Sequence, residues 1–513
     1  MPMPVLTHPT QRAAPAAGCA PHRALAGAAG PTSPCRADWQ TAYAAVRQHS
    51  QRLTAGLSAE DQALQSMADT SPSKWHLAHT TWFFETLVLQ AHAPGYQPVD
   101  ARWAPLFNSY YESLGPRHPR PQRGLISRPS LADVGQYRQQ VDAAMQRFIG
   151  SASPDVWAAA SGALQLGLHH EQQHQELLLT DILHAFSLNP LRPAYAAAPP
   201  LLPPAAHPSA HPSPHPSAGP ADADAGLPHW LAFDGGPVPV GHAGSASAGF
   251  AFDNEQPRHT AWLAPFALAR RLVRCGEYAD FIADGGYRQP ALWLSDGWAQ
   301  VQAQGWRAPA GWLPLAADGS HHGGFEQFTL HGVLPLDPAA PVCQLSGYEA
   351  AAFAAWAGAR LPTEFEWEHG AQTWPATAPH GGGHDGDGGG DGGGDGGGHD
   401  GFDGGFDVDG STLAPRLLPM ADAGTLDAAA PLRQMLGQVW QWTSSAYAPY
   451  PGFRPLAGPA AEYNGKFMVN QLVLRGSSFA TPPGHARSTY RNFFPPAARW
   501  QFSGLRLARD LPA

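Results

Sequence analysis

Two histidines one helical turn apart, His170 and His174, are the residues whose spacing most plainly suggests chemistry. They lie in the stretch LGLHHEQQHQELLLTDILHAF, residues 166–186. On a helix, side chains at positions i and i+4 project from the same face, as two ligands of one metal ion must. Residues 170–174 also spell H-E-x-x-H, which is typical of zinc peptidases that use the glutamate as a general base. The spacing therefore predicts a metal site whose chemistry other residues must decide.

A zinc peptidase needs a third protein ligand, and the usual positions for one are not suitably filled. The extended motif would require glycine and histidine at positions 177 and 180, where the chain has Leu177 and Thr180. The other common form places a glutamate roughly 20 residues further on, but after Asp181 the next acidic residue is Asp222. The peptidase interpretation is therefore disfavoured. We expect Glu171→Gln to leave turnover largely intact, whereas a peptidase would lose its base.

A third histidine is available upstream, in the stretch KWHLAHTTWFFE. His79 lies in an expected helix, and a helix bundle can direct it to the interior point that His170 and His174 face. His76 shares roughly the same face, so spacing alone leaves either histidine open as the third ligand, with His79 deeper in the apolar helix. Three neutral imidazoles without a carboxylate leave open coordination positions. Such a site suits a substrate that brings its own anion, for instance a thiolate.

The long connection at residues 93–129 carries two further groups of candidate residues. Tyr110 and Tyr111 form a pair that in isolation would more often serve packing. The same connection contains four arginines, Arg117, Arg120, Arg123 and Arg128. That many guanidinium groups indicate an anionic target, since arginine pairs with carboxylates through two parallel hydrogen bonds. Connections of this length without secondary structure of their own are usually functional.

Helix signals dominate the first part of the chain. DWQTAYAAVRQHSQRL is the first expected helix, and each of three later helices is preceded by a capping signal. These signals are Ser71 before Pro72, Ser130 with Asp133, and Ser153 before Pro154. Four helices of this length predict a bundle.

Short strands, turns and many tryptophans and glycines follow, which predicts an irregular α+β domain. Its two main helices are expected in GYEAAAFAAWAG and EFEWEHGAQ, because Ser346 with Glu349 and Thr363 with Glu366 have capping-box spacing. A Pro-rich and a Gly/Asp-rich stretch divide the chain. We expect a disordered tail at 1–34, a helical domain at 35–190, a linker at 191–228, and a second domain at 229–513 with a flexible insert at 375–411.

Composition narrows the class of protein. The formal net charge is −10, but eight aspartates of the Gly-rich insert supply most of it, and no basic face indicates nucleic acid. The four cysteines are widely spaced without a C-x-x-C pair, which favours a reducing compartment over a disulfide framework. The chain contains no secretory signal and no apolar run long enough to span a membrane. We therefore expect a cytoplasmic protein without membrane partners.

Several long motifs resemble a known family. SPSKWHLAHTTWFFE, FNSYYESLGPRHPRPQRGL and LHHEQQHQELLLTDILHA together resemble the DinB-like iron-binding bundle of the sulfoxide synthases of ergothioneine biosynthesis, the hercynine oxygenases. SGYEAAAFAAWAGARLPTEFEWEHGA, GQVWQWTSS, LRGSSFATPP and RNFFPPAARWQFSGLRLARD resemble the formylglycine-generating, or sulfatase-modifying-factor, fold, which is C-type-lectin-like. The resemblance thus covers both expected domains and leaves out only the tail, the linker and the insert.

This resemblance implies an enzyme that uses Fe(II) and O2 to join a thiol sulfur to C2 of the imidazole of hercynine, Nα-trimethylhistidine, as a sulfoxide. Carried over residue by residue, the iron ligands would be His79, His170 and His174. Gln173 would hydrogen-bond the substrate imidazole, and Arg120 and Arg123 would clamp a carboxylate. The trimethylammonium group cannot donate a hydrogen bond and needs aromatic contacts; Asn492 and Phe493 are the candidates from the second domain.

Departures from the family pattern refine these expectations. RGSSFATPPGHARSTYRN lacks the reactive cysteines of formylglycine-generating enzymes, so the second domain is expected to be a substrate-binding wall. The branch that uses γ-glutamylcysteine would carry Asp and Arg where this chain has Phe494 and Ala498, which favours free cysteine as the thiol donor. The pair Tyr110 and Tyr111 resembles the same branch, in which a loop tyrosine is the catalytic acid; either could act.

Two alternatives remain open at this stage. An ovothiol-type synthase would attack unmethylated histidine at another ring carbon, but that family usually carries a C-terminal methyltransferase domain, and the C-terminal stretch GLRLARDLPA shows no G-x-G-x-x-G unit. A non-catalytic metal- or thiol-binding protein could also use the same two folds. The complete set of histidines, tyrosines and arginines argues against that second alternative.

Overall fold

The structure is a computed structural model that describes residues 34–197, 230–244, 249–315, 324–373 and 432–512. The predicted tail up to Ser33, most of the predicted linker and the predicted insert lie outside these residues. An N-terminal helical part is followed by a part with small sheets and helices, which confirms the predicted α+β class with two domains. Within the described ranges, no helix is both long and apolar enough to cross a membrane.

Four long helices build the N-terminal bundle. They are α1 (Arg36–Thr54), α2 (Ser73–Phe84), α4 (Leu131–Ser151) and α5 (Pro154–Ser187), and α3 (Ala104–Phe107) is a single turn between α2 and α4. Two predicted N-termini are confirmed. Ser130 and Asp133 form a reciprocal capping box ahead of α4, and Ser153 Oγ accepts the N–H of Val156 at the start of α5. Because these caps satisfy otherwise unpaired N–H groups, they define where α4 and α5 begin.

The start of α2 differs by one residue from the prediction. Its N-cap is Pro72, not Ser71, and the helix begins at Ser73. The reason is tertiary: the N–H of Ser71 donates to the carboxylate of Asp181 on α5, and its hydroxyl accepts from Arg123. Every side chain of α2 is buried, and the helix continues as a π-helical stretch, Glu85–Gln90. Because α2 has no side that faces solvent, it is the central element of the bundle.

The connection between α2 and α4 is more ordered than its sequence suggests. Besides α3 it contains 3-10 turns at Ala101–Trp103, Glu112–Leu114 and Arg120–Leu125. Asn108 holds the middle of the connection, since its side chain accepts from the N–H of Tyr111 and donates to the carbonyl of the same residue. The tyrosine pair therefore lies on a braced segment.

Four helices and twelve strands are described in the second domain. The helices are α6 (Cys275–Ala283), α7 (Ser295–Gln304), α8 (Gly347–Trp356) and α9 (Glu364–Thr373). Both predicted capping boxes are confirmed, Ser346 with Glu349 ahead of α8 and Thr363 with Glu366 ahead of α9. The prediction that these were the two main helices is wrong, because α6 and α7 are of similar length.

The strands form four small sheets. In chain order they are β1 (Trp230–Phe233), β2 (Gly236–Val240), β3 (His259–Leu263), β4 (Phe266–Ala269), β5 (Trp312–Pro314), β6 (Phe325–Thr329), β7 (Gly332–Pro335), β8 (Trp440–Ala446), β9 (Leu472–Arg475), β10 (Asn492–Phe494), β11 (Ser503–Gly504) and β12 (Ala508–Asp510). The sheet orders are β1-β4-β12, β2-β3, β5-β6-β7 and β10-β9-β8-β11, and the pairings are antiparallel except β8 with β11.

The two domains pack against each other along α5. Glu176 on this helix is buried and accepts three hydrogen bonds from the second domain, from Trp440 Nε1 at 2.7 Å, Ser478 Oγ at 2.6 Å and Thr481 Oγ1 at 2.7 Å. The helix that carries the two histidines is therefore in contact with α2 on one side and with the second domain on another.

Candidate metal centre

Three histidines from two helices meet inside the bundle. His79 on α2 and His170 and His174 on α5 each offer a ring nitrogen, and these atoms all lie within 4.8 Å of one another. The Nε2 atoms of His79 and His170 are 3.1 Å apart. His79 and His170 are buried, and His174 is half-buried. The structure thus brings together the three histidines that the sequence predicted as ligands.

The second nitrogen of each ring has different surroundings. His79 Nδ1 lies 2.6 Å from the carbonyl oxygen of Phe107, so Nδ1 carries the proton and Nε2 keeps its lone pair. His174 Nδ1 lies 2.8 Å from Nδ1 of His76, which places His76 behind the group. His170 Nδ1 is buried and has no hydrogen-bond partner among the described residues.

The donor set fits a divalent transition-metal ion. Burial lowers the pKa of His170 to about 3 and holds the pKa values of His79 and His174 well below the usual value, so the imidazoles are neutral near pH 7. Neutral rings whose nitrogens converge at 3.1 Å need a proton or a cation between them, because two lone pairs repel. Imidazole nitrogens without a carboxylate suit iron, zinc or copper better than calcium or magnesium.

Glu171, the acidic residue of H-E-x-x-H, is engaged elsewhere. Its carboxylate lies 2.7 Å from Arg47 Nη1 and 3.0 Å from Arg138 Nη2, and it accepts the hydroxyl of Ser50 at 2.6 Å. Burial by itself would raise the pKa of Glu171, but the two guanidinium groups outweigh it and lower the pKa to about 2. A carboxylate held in this way cannot activate a metal-bound water, so the peptidase chemistry has no base.

The tyrosine pair lies next to the bundle helix α2. Tyr111 is fully buried against Trp82 and Phe83, and its hydroxyl interacts with the phenol of Tyr110. Tyr110 is half-buried and stacks on Tyr111, with ring centroids 4.6 Å apart. Burial raises the pKa of both phenols above the ordinary value, which keeps both protonated.

The two predicted clamp arginines have different environments. Arg123 is buried, with its guanidinium 3.4 Å above the ring of Trp75, and it donates to the hydroxyls of Ser71 and Ser109. Its Nε has no partner among the described residues, and burial lowers its pKa to about 8. Arg120 is exposed and donates instead to the carbonyl of Asp69. Trp75 also stacks on His79, with ring centroids 4.6 Å apart. Of the two predicted clamp arginines, the structure therefore places Arg123 beside the histidine group and Arg120 away from it.

Gln173 is held by two tyrosines of the second domain. Its Oε1 accepts the hydroxyl of Tyr463, and its Nε2 donates to the hydroxyl of Tyr490 at 2.6 Å. The ring of Tyr463 also meets His170 edge-on at 5.7 Å and stacks on Phe252 at 5.4 Å. Sequence reasoning missed both tyrosines, since they lie 290 and 317 residues from Gln173 and no local pattern marks them.

Asn492 and Phe493, the predicted contacts from the second domain, lie on β10. Phe493 stacks on Tyr447 at 4.0 Å and lies 6.0 Å from Phe467, whose ring meets Tyr110 at 5.1 Å. Asn492 Oδ1 accepts the N–H of Phe493. Both are half-buried. They reach the tyrosine loop through Phe467 and have no ring contact with the three histidines within the described residues.

Comparison with known proteins bears on this arrangement. The DinB superfamily model matches residues 42–178, and the sulfatase-modifying factor enzyme 1-like domain matches residues 218–388 and 418–511. The hercynine oxygenase of Mycobacterium tuberculosis is 33% identical over 442 residues, which cover 86% of this chain and 91% of that protein. This chain belongs to the hercynine oxygenase family. The hercynine oxygenase of Mycolicibacterium thermoresistibile is 31% identical over 445 residues, which cover 86% of this chain and 88% of that protein.

Membership of the hercynine oxygenase family makes this chain an enzyme, and specifically an oxidoreductase. The formylglycine-generating enzyme of Mycobacterium tuberculosis is also similar, at 27% identity, but over only 39% of this chain and 70% of that protein. The predicted resemblance to a DinB-like bundle joined to a sulfatase-modifying-factor domain is confirmed.

Proposed function

We propose that this chain is a non-haem Fe(II)- and O2-dependent sulfoxide synthase of ergothioneine biosynthesis, and that it joins the sulfur of cysteine to imidazole C2 of hercynine. One observation carries the proposal: a group of three neutral imidazoles, two of them buried and one half-buried, lies beside a glutamine that two tyrosines hold, Gln173. In the reaction the thiol S–H and the imidazole C2–H bonds break and a C–S bond forms. One oxygen atom of O2 ends on sulfur and the other in water, so the four electrons that O2 accepts come from the two substrates.

The three histidines would hold the iron. Nδ1–H of His79 donates a hydrogen bond to the carbonyl of Phe107, so Nε2 keeps its lone pair for the metal. Nδ1 of His174 contacts Nδ1 of His76, and this contact would orient the ring. Bound there, Fe(II) would supply the electron transfer to O2 and coordination positions for the two substrates. The protein contributes a fixed set of neutral ligands in a buried site, which leaves the charge of the ion available to a thiolate.

Gln173 and its tyrosines would recognise hercynine. An amide offers both an acceptor and a donor to a second imidazole, and the hydroxyls of Tyr463 and Tyr490 orient this amide. Phe252 adds an aromatic face, 5.4 Å from Tyr463 and 5.6 Å from Tyr490. A trimethylammonium group binds to such faces by cation–π attraction, since it has no hydrogen to donate.

Arg123 would bind the carboxylate of the thiol substrate. It is buried on Trp75, which stacks on His79, so a small amino acid paired with Arg123 has its thiol directed towards the histidines. Arg120 would have to leave the carbonyl of Asp69 to complete the clamp. Phe494 and Ala498 offer no charge to a glutamyl carboxylate, which supports cysteine as the donor.

A loop tyrosine would supply the proton that the reaction needs. Tyr111 is the better of the two candidates, because its phenol is fully buried against α2, whereas Tyr110 is half-buried. Burial keeps the pKa of this phenol high, so the proton stays on the oxygen until a base forms nearby. Tyr110 packs on Tyr111 and separates it from Phe467.

A single-turnover experiment tests the proposal. The protein is loaded with Fe(II) without oxygen and given hercynine with cysteine or γ-glutamylcysteine; O2 is then admitted and the products are identified by mass. We expect the hercynine–cysteine sulfoxide, with less from γ-glutamylcysteine and none from unmethylated histidine. No C–S product from either thiol would refute the function, and product from γ-glutamylcysteine alone would refute the choice of donor. In the same assay Tyr111→Phe should lower sulfoxide formation by about 100-fold or more, with Tyr110→Phe as the matched control that keeps most of it.

A further inference from the structure

We infer that His76 and Asp181 form a hydrogen-bonded pair whose function is to orient His174 as a metal ligand through Nε2. Spacing alone left His76 open as a ligand, and the structure assigns it a positioning role instead. The inference rests on the metal centre of the proposed function but not on the identity of the substrates.

The pair is built from two helices and is closed to solvent. His76 on α2 places Nδ1 at 2.8 Å from His174 Nδ1, and its Nε2 at 3.1 Å from an oxygen of Asp181 on α5. The same oxygen of Asp181 accepts the N–H of Ser71 at 2.8 Å. His76 and Asp181 are 4% and 6% exposed, so both side chains are shielded from bulk solvent. The three residues Asp181, His76 and His174 therefore form one hydrogen-bonded chain.

The position of each proton follows from this chain. A carboxylate only accepts hydrogen bonds, so the Nε2 of His76 carries a proton and donates it to Asp181. In the tautomer of His76 with its N–H at Nε2, Nδ1 carries the lone pair and acts as the acceptor. His174 must then donate from Nδ1, and its Nε2 is left with the lone pair that a metal ion needs.

This support distinguishes His174 from the other two ligands. His79 is oriented by a single carbonyl, that of Phe107, and His170 Nδ1 has no partner among the described residues. His174 is half-buried, whereas the other two are buried, so the His76–Asp181 pair holds the least enclosed ring of the three. Hydrogen bonds of this kind fix the tautomer and the ring orientation of a ligand, and their loss weakens metal binding by about 10- to 100-fold.

Metal affinity, measured without turnover, tests the pair. Co(II) and Fe(II) dissociation constants are determined under anaerobic conditions by competition with a chromophoric chelator, and the visible bands of bound Co(II) report its coordination. We expect His76→Leu and Asp181→Asn to weaken binding by about 10- to 100-fold and to change the Co(II) bands. His76→Gln should recover most of the affinity, because its amide can accept from His174 and donate to Asp181.

His184 provides the matched control. It lies on α5 three residues after Asp181 and makes a similar hydrogen bond, 2.7 Å from Ser66 Oγ, but it is outside the metal group. His184→Leu should bind Co(II) as the unaltered protein does. Thermal unfolding of the metal-free variants separates loss of folding from loss of ligand orientation. If His76→Leu does not fold, the near-isosteric Asp181→Asn still decides the question.

Two results would overturn the inference. Unchanged affinity and unchanged Co(II) bands in both His76→Leu and Asp181→Asn would mean that the pair does not act on the metal. Complete loss of metal in His76→Leu, as expected for His174→Ala, with Asp181→Asn unaffected, would make His76 a ligand. Failure of the unaltered protein to bind Co(II) or Fe(II) would instead refute the proposed metal centre itself.

Discussion

Glu171 carries a charge that is fully buried and fully paired. Arg47 and Arg138 contact one oxygen each, and Arg138 also donates to the backbone carbonyls of Leu77 and Arg47. Four elements, α1, α2, α4 and α5, are thereby linked through one carboxylate. Removing one partner of such a buried network leaves the remaining charges unpaired in a medium that solvates them poorly, which costs far more than losing a surface ion pair.

We therefore predict that Glu171→Gln destabilises the protein by about 3 kcal/mol or more, measured by urea or thermal unfolding, without changing turnover per folded molecule. Glu112→Gln is the control, since Glu112 pairs with Arg117 on the surface and its loss should cost less than about 0.5 kcal/mol. Equal stability of the two variants would contradict the prediction, and loss of turnover in fully folded Glu171→Gln would restore a catalytic role for this glutamate.

The same network has a defined acid dependence. The folded pKa of Glu171 is about 2, below the ordinary value of 4.5. A depressed pKa means that the unfolded chain binds the proton more tightly, so the stabilisation is complete above about pH 4.5 and is lost as the pH falls towards 2. Glu171→Gln should remove this contribution, and its unfolding free energy should fall less steeply in that range than that of the unaltered protein.

Local spacing explains which site residues could be predicted. His170 and His174 are one turn apart, so this pair follows from helix geometry. Geometry left both His76 and His79 open as the third ligand, and the family resemblance selected His79. Tyr463 and Tyr490 have no such signal, because tertiary packing alone brings them to Gln173. The pairing of Glu171 with two distant arginines was equally invisible, which is why H-E-x-x-H was ambiguous.

At the scale of elements, α5 performs two tasks with different faces. Its histidines face α2, while Glu176 is inserted among Trp440, Ser478 and Thr481 of the second domain. All three of these partners are donors and all are buried. A buried donor left without an acceptor costs about 1–3 kcal/mol, so this carboxylate stabilises the contact between the domains.

We predict that Glu176→Ala weakens the docking of α5 on the second domain by about 2 kcal/mol or more. Gln172→Ala is the comparison, since Gln172 makes one neutral hydrogen bond to the carbonyl of Pro483 at the same interface, and its loss should cost about 1 kcal/mol. Calorimetry should show a lower unfolding temperature for Glu176→Ala and faster limited proteolysis between the domains. If both variants unfold like the unaltered protein, Glu176 does not hold the interface.

Elements that begin with a local cap could be predicted from the sequence, and others could not. Ser130 with Asp133 and Ser346 with Glu349 act within one turn, so the starts of α4 and α8 follow from four residues. The residues before α2 are held by Asp181, which lies far away in the chain. The helix therefore begins one residue later than its sequence predicts. Likewise, α6 was missed because its first turn follows Arg274, which is not among the usual cap residues.

On the scale of the whole molecule, the site is shared between the domains. The histidines of the proposed metal centre come from the bundle, whereas the hydroxyls that orient Gln173 come from the second domain. The sulfatase-modifying-factor domain is therefore linked to the histidine group through Tyr463, which contacts both Gln173 and His170. If this link serves substrate recognition, the two functions of binding metal and binding hercynine should be separable by mutation.

We predict that Tyr463→Phe raises KM for hercynine by about 10-fold or more, because Gln173 loses the donor that fixes its amide. The dissociation constant for Fe(II) should stay unchanged, since Tyr463 donates to no histidine of the metal group. Tyr195→Phe is the matched control: its hydroxyl also makes a partly buried hydrogen bond, to the carbonyl of Leu53, but at a site away from the metal group. An unchanged KM in Tyr463→Phe, or a parallel loss of Fe(II), would show that the second domain acts only as a scaffold.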